Sequence, residues 1–461
     1  MMTSPEILHE HVKNIFPIFR SITGKGIRQT LEYISQRTEG FSISHVDSGT
    51  EVLDWTVPDE WNAYGATIRR TTGEVMIDWA RCNLHLVQYS IPIRARVSRG
   101  ELEKHLHWLP DQPDLIPYRT SYYRKDWGFC LSAHQYSQLT DDEYDVEIRT
   151  ELGPGRLSYG EVLVPATMES GNEAGEVLFS IHCCHPALAN DNASSIAIAI
   201  EVIRTLQKRP DRRLSYRFVF IPGTIGSITW LARNRDRIRH IRHGLVMSCL
   251  GDDGLPTYKQ SRRGNAAIDR YAEYLVQTRW GGKVVPFEPY GYDERQYCSP
   301  GFNLPVGCLM RSPNGQFAQY HTSADNLDFV TPAGLYASFG FIMDLVTMME
   351  QDFHPRSLCP YGEPQLGRRG LYKTIGGGDE KDPHSAFDQM TLLWVLNLAD
   401  GDHSLLDIAQ RSGKPFPAVA AAAGVLVRAD LLARSAWGQV PMPPASVSSP
   451  AGTSAPSASW T

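Results

Sequence analysis

The sequence predicts an α/β protein whose main sheet is covered by helices. Two patterns predict it. From about residue 160 onward, short apolar runs alternate with helix-length runs. The short runs are almost continuously apolar, as strands buried on both faces are, and do not alternate as half-exposed strands do.

Taken in order, 176–181 is a short apolar strand and 195–206 a helix rich in Ala and Ile. A second strand at 216–221 is followed by a helix at 228–238. A third strand at 244–250 precedes a helix at 265–277. A fourth strand at 304–310 precedes a long helix at 332–349 that closes the unit. At the N-terminus, Ile7, Val12, Ile15, Phe16 and Phe19 recur at helical spacing, and Ile27, Leu31 and Ile34 repeat it. Residues 41–44 and 50–57 read as short extended pieces.

Between about 55 and 151 the composition changes. Trp61, Trp79, Tyr89, Trp108, Tyr118, Tyr122, Tyr123, Trp127 and Phe129 crowd together, and short alternating runs are bounded by Gly, so this stretch reads as a β-rich module. Residues 361–383 form a linker with a Gly376–Gly378 run. Three short helices follow at 387–398, 404–411 and 417–427, broken at Asp400-Gly401 and Ser412-Gly413, which suggests a winged-helix or helix-turn-helix shape. After Trp437 the chain is rich in Pro, Ser and Ala and is expected to be disordered. The expected domains are 1–54 with 152–358, an inserted module at 55–151, a linker at 359–385, the helical unit at 386–440 and a tail at 441–461.

Bulk properties restrict the function. A chain of 461 residues has room for two to four domains. A net charge of −6 offers no basic field for nucleic acid. No run reaches the roughly 18 apolar residues of a membrane helix, and residues 1–20 lack the pattern of a secretory signal. The eight cysteines are scattered apart from Cys183 and Cys184, which fits reduced thiols and a cytoplasmic protein.

Three polar clusters fall just after strands, where ligand sites of open α/β sheets form. The first is His182-Cys183-Cys184-His185-Pro186 with Asn190-Asp191-Asn192; imidazole and carboxylate are common zinc ligands. The second is Tyr320-His321-Thr322-Ser323-Ala324-Asp325, which by itself also reads as a polar loop whose Asp325 or Asp328 caps the next helix. The third, Gly251-Asp252-Asp253-Gly254, also reads as an ordinary turn.

A strand ending in His, an Asp between two Asn, and a late Tyr-His-Thr-x-x-Asp make the motif order of zinc aminopeptidases. Over nearly its whole length the chain more closely resembles a bacterial family of polysaccharide-biosynthesis proteins with an aminopeptidase-like domain. The residues carrying that resemblance include Trp55-Thr56-Val57-Pro58-Asp59-Glu60-Trp61, Asn83-Leu84-His85-Leu86, Trp127-Gly128-Phe129-Cys130, Ser261-Arg262-Arg263-Gly264-Asn265 and Asp293-Glu294-Arg295. The resemblance implies a zinc-exopeptidase-like mixed sheet covered by helices, an inserted β-rich domain and a C-terminal winged helix.

By that resemblance His182 matches the first metal His, Asp191 the bridging Asp and His321 the last metal His. Cys184 stands where those enzymes carry the Asp of a His-x-Asp motif. His185 is an alternative ligand, and Asp252 lies near the position of a further carboxylate ligand. Arg311 and Tyr320 are the substrate-side candidates: Arg311 is suited to clamp a carboxylate, with a structural salt bridge or solvated surface as its equal alternative.

The chain departs from the exopeptidases at Pro222-Gly223-Thr224. There the exopeptidases have two consecutive Glu, a general base and then a ligand. Without them one zinc ion is expected rather than two, and losing a positioned base typically costs roughly 10²–10⁴-fold in rate. Asp293 and Glu294 are the substitutes on offer, and Gly223→Glu is expected to restore hydrolysis.

The expected function is therefore a zinc-dependent, aminopeptidase-like hydrolase acting on an amide bond of a small peptide or amino-acid conjugate in a biosynthetic pathway. The alternative is a non-catalytic or weakly catalytic metal- or peptide-binding protein on the same scaffold. DNA binding is disfavoured, because the helix at 417–427 is mostly Ala and Val and basic residues are few (Arg411, Lys414, Arg428, Arg434). That unit reads instead as a protein-interaction module, with homo-oligomerisation as its expected use.

Overall fold

Strand Glu176–His182 pairs in parallel with Ser215–Ile221 on one side and with Ile241–Met247 on the other. These strands are the middle of an eight-stranded mixed sheet. The computed structural model describes residues 3–168, 175–371 and 386–435. These fall into two units, Met1–Glu350 and Gln351–Thr461. The tail expected at 441–461 and most of the Gly-rich linker lie outside the described residues.

Across the sheet the strands run Ser42–Asp47, Arg156–Val164, Ser215–Ile221, Glu176–His182, Ile241–Met247, Val306–Met310, Thr257–Lys259 and Lys283–Val285. The four inner strands expected from the apolar runs are present, and four shorter or more polar strands extend the sheet. The sheet is mixed because Arg156–Val164 enters antiparallel to Ser215–Ile221, and Thr257–Lys259 antiparallel to Val306–Met310.

Both faces are covered, as the apolar runs require. On one face, Ser180 Oγ lies 2.9 Å from Tyr297 Oη. Leu178, Val219 and Val246 share that core with Ile225, Ile228 and Trp230 of helix Ile225–Arg233. On the other face, the Tyr216 hydroxyl donates to Glu350 Oε1 at 2.6 Å, tying down helix Pro332–Gln351. By length and composition that helix is apolar enough to cross a membrane. Its buried row, including Leu335, Phe341, Ile342, Leu345 and Val346, makes it a core helix of this sheet. At the N-terminus, Ser4 caps helix Pro5–Ile15, with Pro5 at its first position. His11 Nε2 of that helix lies 3.1 Å from Glu201 Oε1 of helix Ser195–Lys208.

The third strand ends at Met247, short of the expected 250. The next backbone groups are taken by side chains: Cys249 N–H donates to Asn192 Oδ1, Leu250 N–H to Ser194 Oγ and Gly251 N–H to Asn190 Oδ1. All three acceptors sit on the turn that carries Asp191.

The aromatic-rich stretch forms a separate four-stranded antiparallel sheet, ordered Val75–Asp78, Glu60–Arg70, Glu143–Gly153, Ile93–Ser98. The main sheet uses strands from before and after it. Trp61 joins this module to the N-terminal segment. It is 1% exposed, its indole N–H donates to Ser90 O at 2.9 Å, and it stacks on Tyr89 and packs against Phe19. Trp61→Ala is expected to cost about 3–5 kcal/mol, read by denaturant unfolding of this unit.

In the second unit, strands His354–Ser357 and Leu432–Ser435 pair antiparallel beside helices Gln389–Asn397, Leu405–Ser412 and Phe416–Arg428. Asp388 caps the first helix, Ser404 with Asp407 the second, and Gly413 closes the second in the left-handed region. The sequence pattern leaves 351–358 with the first domain. The pairing of His354–Ser357 with the last strand puts it in the second, a long-range contact no local pattern reveals.

Candidate metal centre

His182 is the last residue of the central strand, and Asp191 stands in the turn before helix Ser195–Lys208. His182 Nε2 lies 2.6 Å from Asp191 Oδ1, and His321 Nε2 lies 3.0 Å from Asp191 Oδ2. His185 Nδ1 is 3.9 Å from Asp191 Oδ1. Ligand atoms of His182, His185 and Asp191 all lie within 4.8 Å of one another. The structure thus gathers His182, His185 and His321 around the Asp191 carboxylate.

The charges suit a cation. Burial pushes the His185 imidazole down to about 3, so it is neutral with a free lone pair. Burial also opposes charge on Asp191. The surrounding imidazoles, and hydrogen bonds to His182 and His321, outweigh it and hold that carboxyl well below the ordinary range. Imidazole nitrogens and a carboxylate at one point are a zinc donor set.

A second ring of contacts fixes Asp191. Asp325 accepts from the backbone N–H groups of Asn190 (2.5 Å) and Asp191 (3.0 Å), and its carbonyl accepts from Ala189 N–H (3.1 Å). Asp325 therefore caps the Asp191 turn and not the following helix. Asn192 Nδ2 donates to the carbonyls of His182 and Met247, joining the two strand ends. Asp325→Ala leaves two buried N–H groups without acceptors. The expected loss is about 2 kcal/mol or more, read by denaturant unfolding, with zinc affinity down roughly 10–100-fold.

Asp252 stands outside the gathered group. Its oxygens accept from Gly254 N–H (2.7 Å), Ser312 Oγ (2.9 Å), Ser312 N–H (3.3 Å) and Asn190 Nδ2 (2.9 Å), so it orients Asn190 and has no lone pair turned to a metal. Arg311 is likewise placed elsewhere. It follows Met310 on the face of helix Pro332–Gln351, and its Nη1 donates to Gly334 O (3.4 Å) and Ser338 Oγ (3.3 Å). Both acceptors are uncharged, and its Nε is buried without a partner among the described residues. Tyr320 stacks on His321 with ring centres 4.0 Å apart and is half-buried at the edge of the group.

The two substitute bases differ. Glu294 is fully buried in an ion pair with Lys259 and also accepts from Tyr292 N–H at 3.2 Å, which leaves it no freedom to serve as a base. Asp293 accepts from Ser227 Oγ at 2.8 Å through Oδ1, while its Oδ2 is buried without a partner among the described residues. Burial raises its carboxyl to about 6, against the pull of His182.

Gly223 is covered by Tyr292. A Cβ on Gly223 would lie 2.1 Å from Tyr292 Cε1 and 2.8 Å from its hydroxyl oxygen. The Tyr292 ring packs against His182 at a tilt of 33° with centres 3.8 Å apart, and its hydroxyl is 3.5 Å from Cys184 Sγ. The side chain absent at 223 is thus replaced in space by a phenol from a distant loop. This residue was missed from the sequence; the available signal was the need for something to fill the room over a glycine at a buried strand end.

The inserted module reaches the centre through 116–118. Tyr118 N–H donates to His321 O at 2.8 Å, and Ser323 N–H donates to Ile116 O at 2.9 Å. The Tyr118 ring meets His185 and His321 edge-on at 5.1 and 5.0 Å. These contacts hold His321 in the left-handed region, at φ 55°.

A mixed sheet covered by helices, with imidazoles and a carboxylate at its strand ends and a winged helix appended, defines an aminopeptidase-like α/β protein. A family model described as a domain of unknown function (DUF4910) matches residues 9–352, and one described as winged helix-turn-helix matches residues 354–434. The chain belongs to the DUF4910 family. A Clostridium acetobutylicum protein named for polysaccharide biosynthesis with an aminopeptidase-like domain is 43% identical over 427 residues, 92% of this chain and 95% of that one. A solved structure from the same organism, named for a peptidase, aligns at 41% identity and a TM-score of 0.85, covering 94% of this chain and 96% of that one. A zinc aminopeptidase from Bacillus subtilis aligns at a TM-score of 0.54 and 10% identity, covering 75% and 94%, a likeness of fold alone.

Proposed function

We propose that the protein is a zinc-dependent hydrolase of an amide bond in a small peptide or amino-acid conjugate. The observation that carries this reading is the convergence of His182, His185 and His321 on the buried Asp191 carboxylate. His182, His185, Asp191 and His321 would hold one ion. A zinc ion there supplies Lewis acidity toward an amide carbonyl and toward water. The name of the Clostridium relative supports a biosynthetic role.

The protein's own residues supply the rest. Asp293 is the remaining proton acceptor, with one unpartnered oxygen and a carboxyl raised to about 6. As a base it works ionised, so the rate should rise with pH through about 6 and level off above it. The same shift carries a stability cost of opposite sense. A carboxyl raised in the folded state favours folding below its unfolded value, and that contribution is lost as pH rises through 6. Tyr118 and Tyr292 wall the centre on two sides and limit the room for substrate.

One observation favours a second reading, a binding protein with little turnover: Tyr292 fills the space over Gly223 where a general base is absent. Metal analysis of the purified protein, with anomalous scattering at the zinc edge, together with assays on aminoacyl amides, separates the two readings. One zinc at His182–Asp191 with turnover lost in Asp293→Asn supports the hydrolase. Zinc without turnover of any amide supports the binding protein. Absence of metal affinity overturns both as metal proteins.

A further inference from the structure

Beyond strand Val306–Met310, where the sheet ends in Thr257–Lys259 and Lys283–Val285, lies a cavity of about 540 Å³. That volume suits a bound small molecule. Its walls are mostly apolar and include Pro256, Val285, Pro286 and Met310. Leu255 and Tyr290, 63% and 76% exposed, stand at its mouth, so it opens to solvent.

Two contacts join the cavity to the metal centre. Gly291 lines it, and the next residue is Tyr292, whose ring packs against His182 with centres 3.8 Å apart. Asn314 also lines it, and Asn314 Oδ1 accepts from Cys249 Sγ at 3.4 Å. Cys249 N–H in turn donates to Asn192 Oδ1, and Asn192 Nδ2 lies 3.1 Å from His182 Nδ1. A single strand separates the strand of His182 from Val306–Met310, which places their ends roughly 10 Å apart. A large side chain on a substrate whose amide lies at the centre covers that span.

The floor of the cavity carries charge. Lys259 and Glu294 form a buried ion pair. Lys259 Nζ donates to Glu294 and to Tyr290 O at 2.7 Å, which leaves one of its three N–H groups without an acceptor among the described residues. Nζ fills the space that a Cβ on Gly291 would need, so it stands at the cavity wall. Both Glu294 oxygens accept from Tyr292 N–H at 3.2 Å. A ligand carboxylate at the free N–H would face Glu294 across a poorly solvated space, and a ligand cation would face the ammonium; either repulsion is costly there. An uncharged oxygen meets neither. At the mouth, Lys283 and Glu288 are exposed and opposite in sign, and solvent screens them.

We propose that this cavity receives the side chain of the substrate's amino acid, and that this side chain is large, mostly apolar and ends in an uncharged hydrogen-bond acceptor for Lys259. This rests on the hydrolase reading and names its substrate class: the amide lies at His182, His185 and Asp191 while the side chain of the same molecule fills the cavity.

The test is titration calorimetry on chelator-stripped protein, where no turnover disturbs the reading, with the amides of alanine, phenylalanine, tyrosine and lysine and the α-amide of glutamate. Tyrosinamide should bind about 10-fold more tightly than phenylalaninamide and about 100-fold more tightly than alaninamide. The lysine and glutamate amides should bind no better than alaninamide. Lys259→Met should erase the gap between tyrosinamide and phenylalaninamide, and Val285→Trp, which fills the cavity, should bring the whole panel to the level of alaninamide, with zinc uptake unchanged in both. Tyrosinamide no tighter than phenylalaninamide, tightest binding by a charged side chain, binding of none at millimolar concentration, a gap that survives Lys259→Met, or a panel unchanged in Val285→Trp would overturn the proposal. Should Lys259→Met fail to fold, the wild-type panel and Val285→Trp decide. The expected binding order in a protein that takes up no zinc and cleaves none of the amides would sustain the cavity as a side-chain site and remove the hydrolase reading. Zinc uptake and cleavage indifferent to the side chain would do the reverse.

Discussion

Asp191→Asn should reduce zinc affinity by about 10²–10³-fold, the largest effect expected of any single substitution in the centre. The carboxylate is the meeting point of His182 and His321 and lies within 4 Å of His185, and it is 1% exposed. Asn keeps its shape and one acceptor oxygen but removes the charge that offsets the cation. A structural zinc site contributes on the order of 10–16 kcal/mol over its ligands, so one charged ligand accounts for several kcal/mol. Competition with a calibrated chelator measures the change. A metal that binds only the folded chain stabilises it, so on the proposed reading the wild-type melting temperature should fall when metal is stripped, while that of Asp191→Asn should hardly move. An Asp191→Asn protein that holds zinc as tightly as wild type would place the metal elsewhere.

The second large effect concerns Gly223, where the structure revises the sequence-based expectation. Restoring Glu at 223 alone should not raise hydrolysis, because its Cβ would collide with the Tyr292 ring at 2.1 Å. Overpacking of this kind costs about 1–3 kcal/mol and would displace the ring that packs against His182. The double variant Gly223→Glu with Tyr292→Ala opens that room. Its hydrolysis of simple aminoacyl amides should exceed wild type by roughly 10²–10⁴-fold, the usual worth of a positioned base. Initial rates on zinc-loaded wild type, both single variants and the double variant form a cycle in which only the pair gains. A gain in Gly223→Glu alone would show that Tyr292 yields readily. No gain in the pair with zinc bound would mean that the base position is no longer aligned with the amide.

Much of the architecture was legible because burial leaves periodic traces. The continuous apolar runs ending at Ile181, Ile221 and Met310 mark strands covered on both faces, and the dense aromatics after Trp55 mark a β-rich module whose buried side chains continue the main sheet's core. Less legible were the short strands Thr257–Lys259 and Lys283–Val285: three residues each are too few to show a period, and Lys283–Val285 lies at the edge of the sheet. Strand His354–Ser357 was assigned to the wrong unit, since its partner lies near the end of the described chain.

The site divides the same way. Residue type and position after a strand brought His182, His185, Asp191 and His321 forward, because zinc chemistry restricts the ligand types and strand ends restrict the place. Position after a strand also raised Asp252, the missing base raised Glu294 as a substitute from a loop, and the clamp chemistry of a guanidinium raised Arg311. Only the fold shows that Asp252 is spent on Asn190 and Ser312, Glu294 on Lys259, and Arg311 on helix Pro332–Gln351. A sequence states which groups are available to donate and accept, and which segments must be buried. It does not state which partner each buried polar group finds, since those pairings join residues distant in the chain: Asp325 with Asn190, Tyr118 with His321, Tyr292 over Gly223. The sequence by itself therefore determined the layers of this protein and the chemical types at its centre, because hydrophobic periodicity is local. The tertiary structure decided which of those groups remain free to act, because satisfying buried hydrogen bonds and filling space are problems solved only by the whole fold.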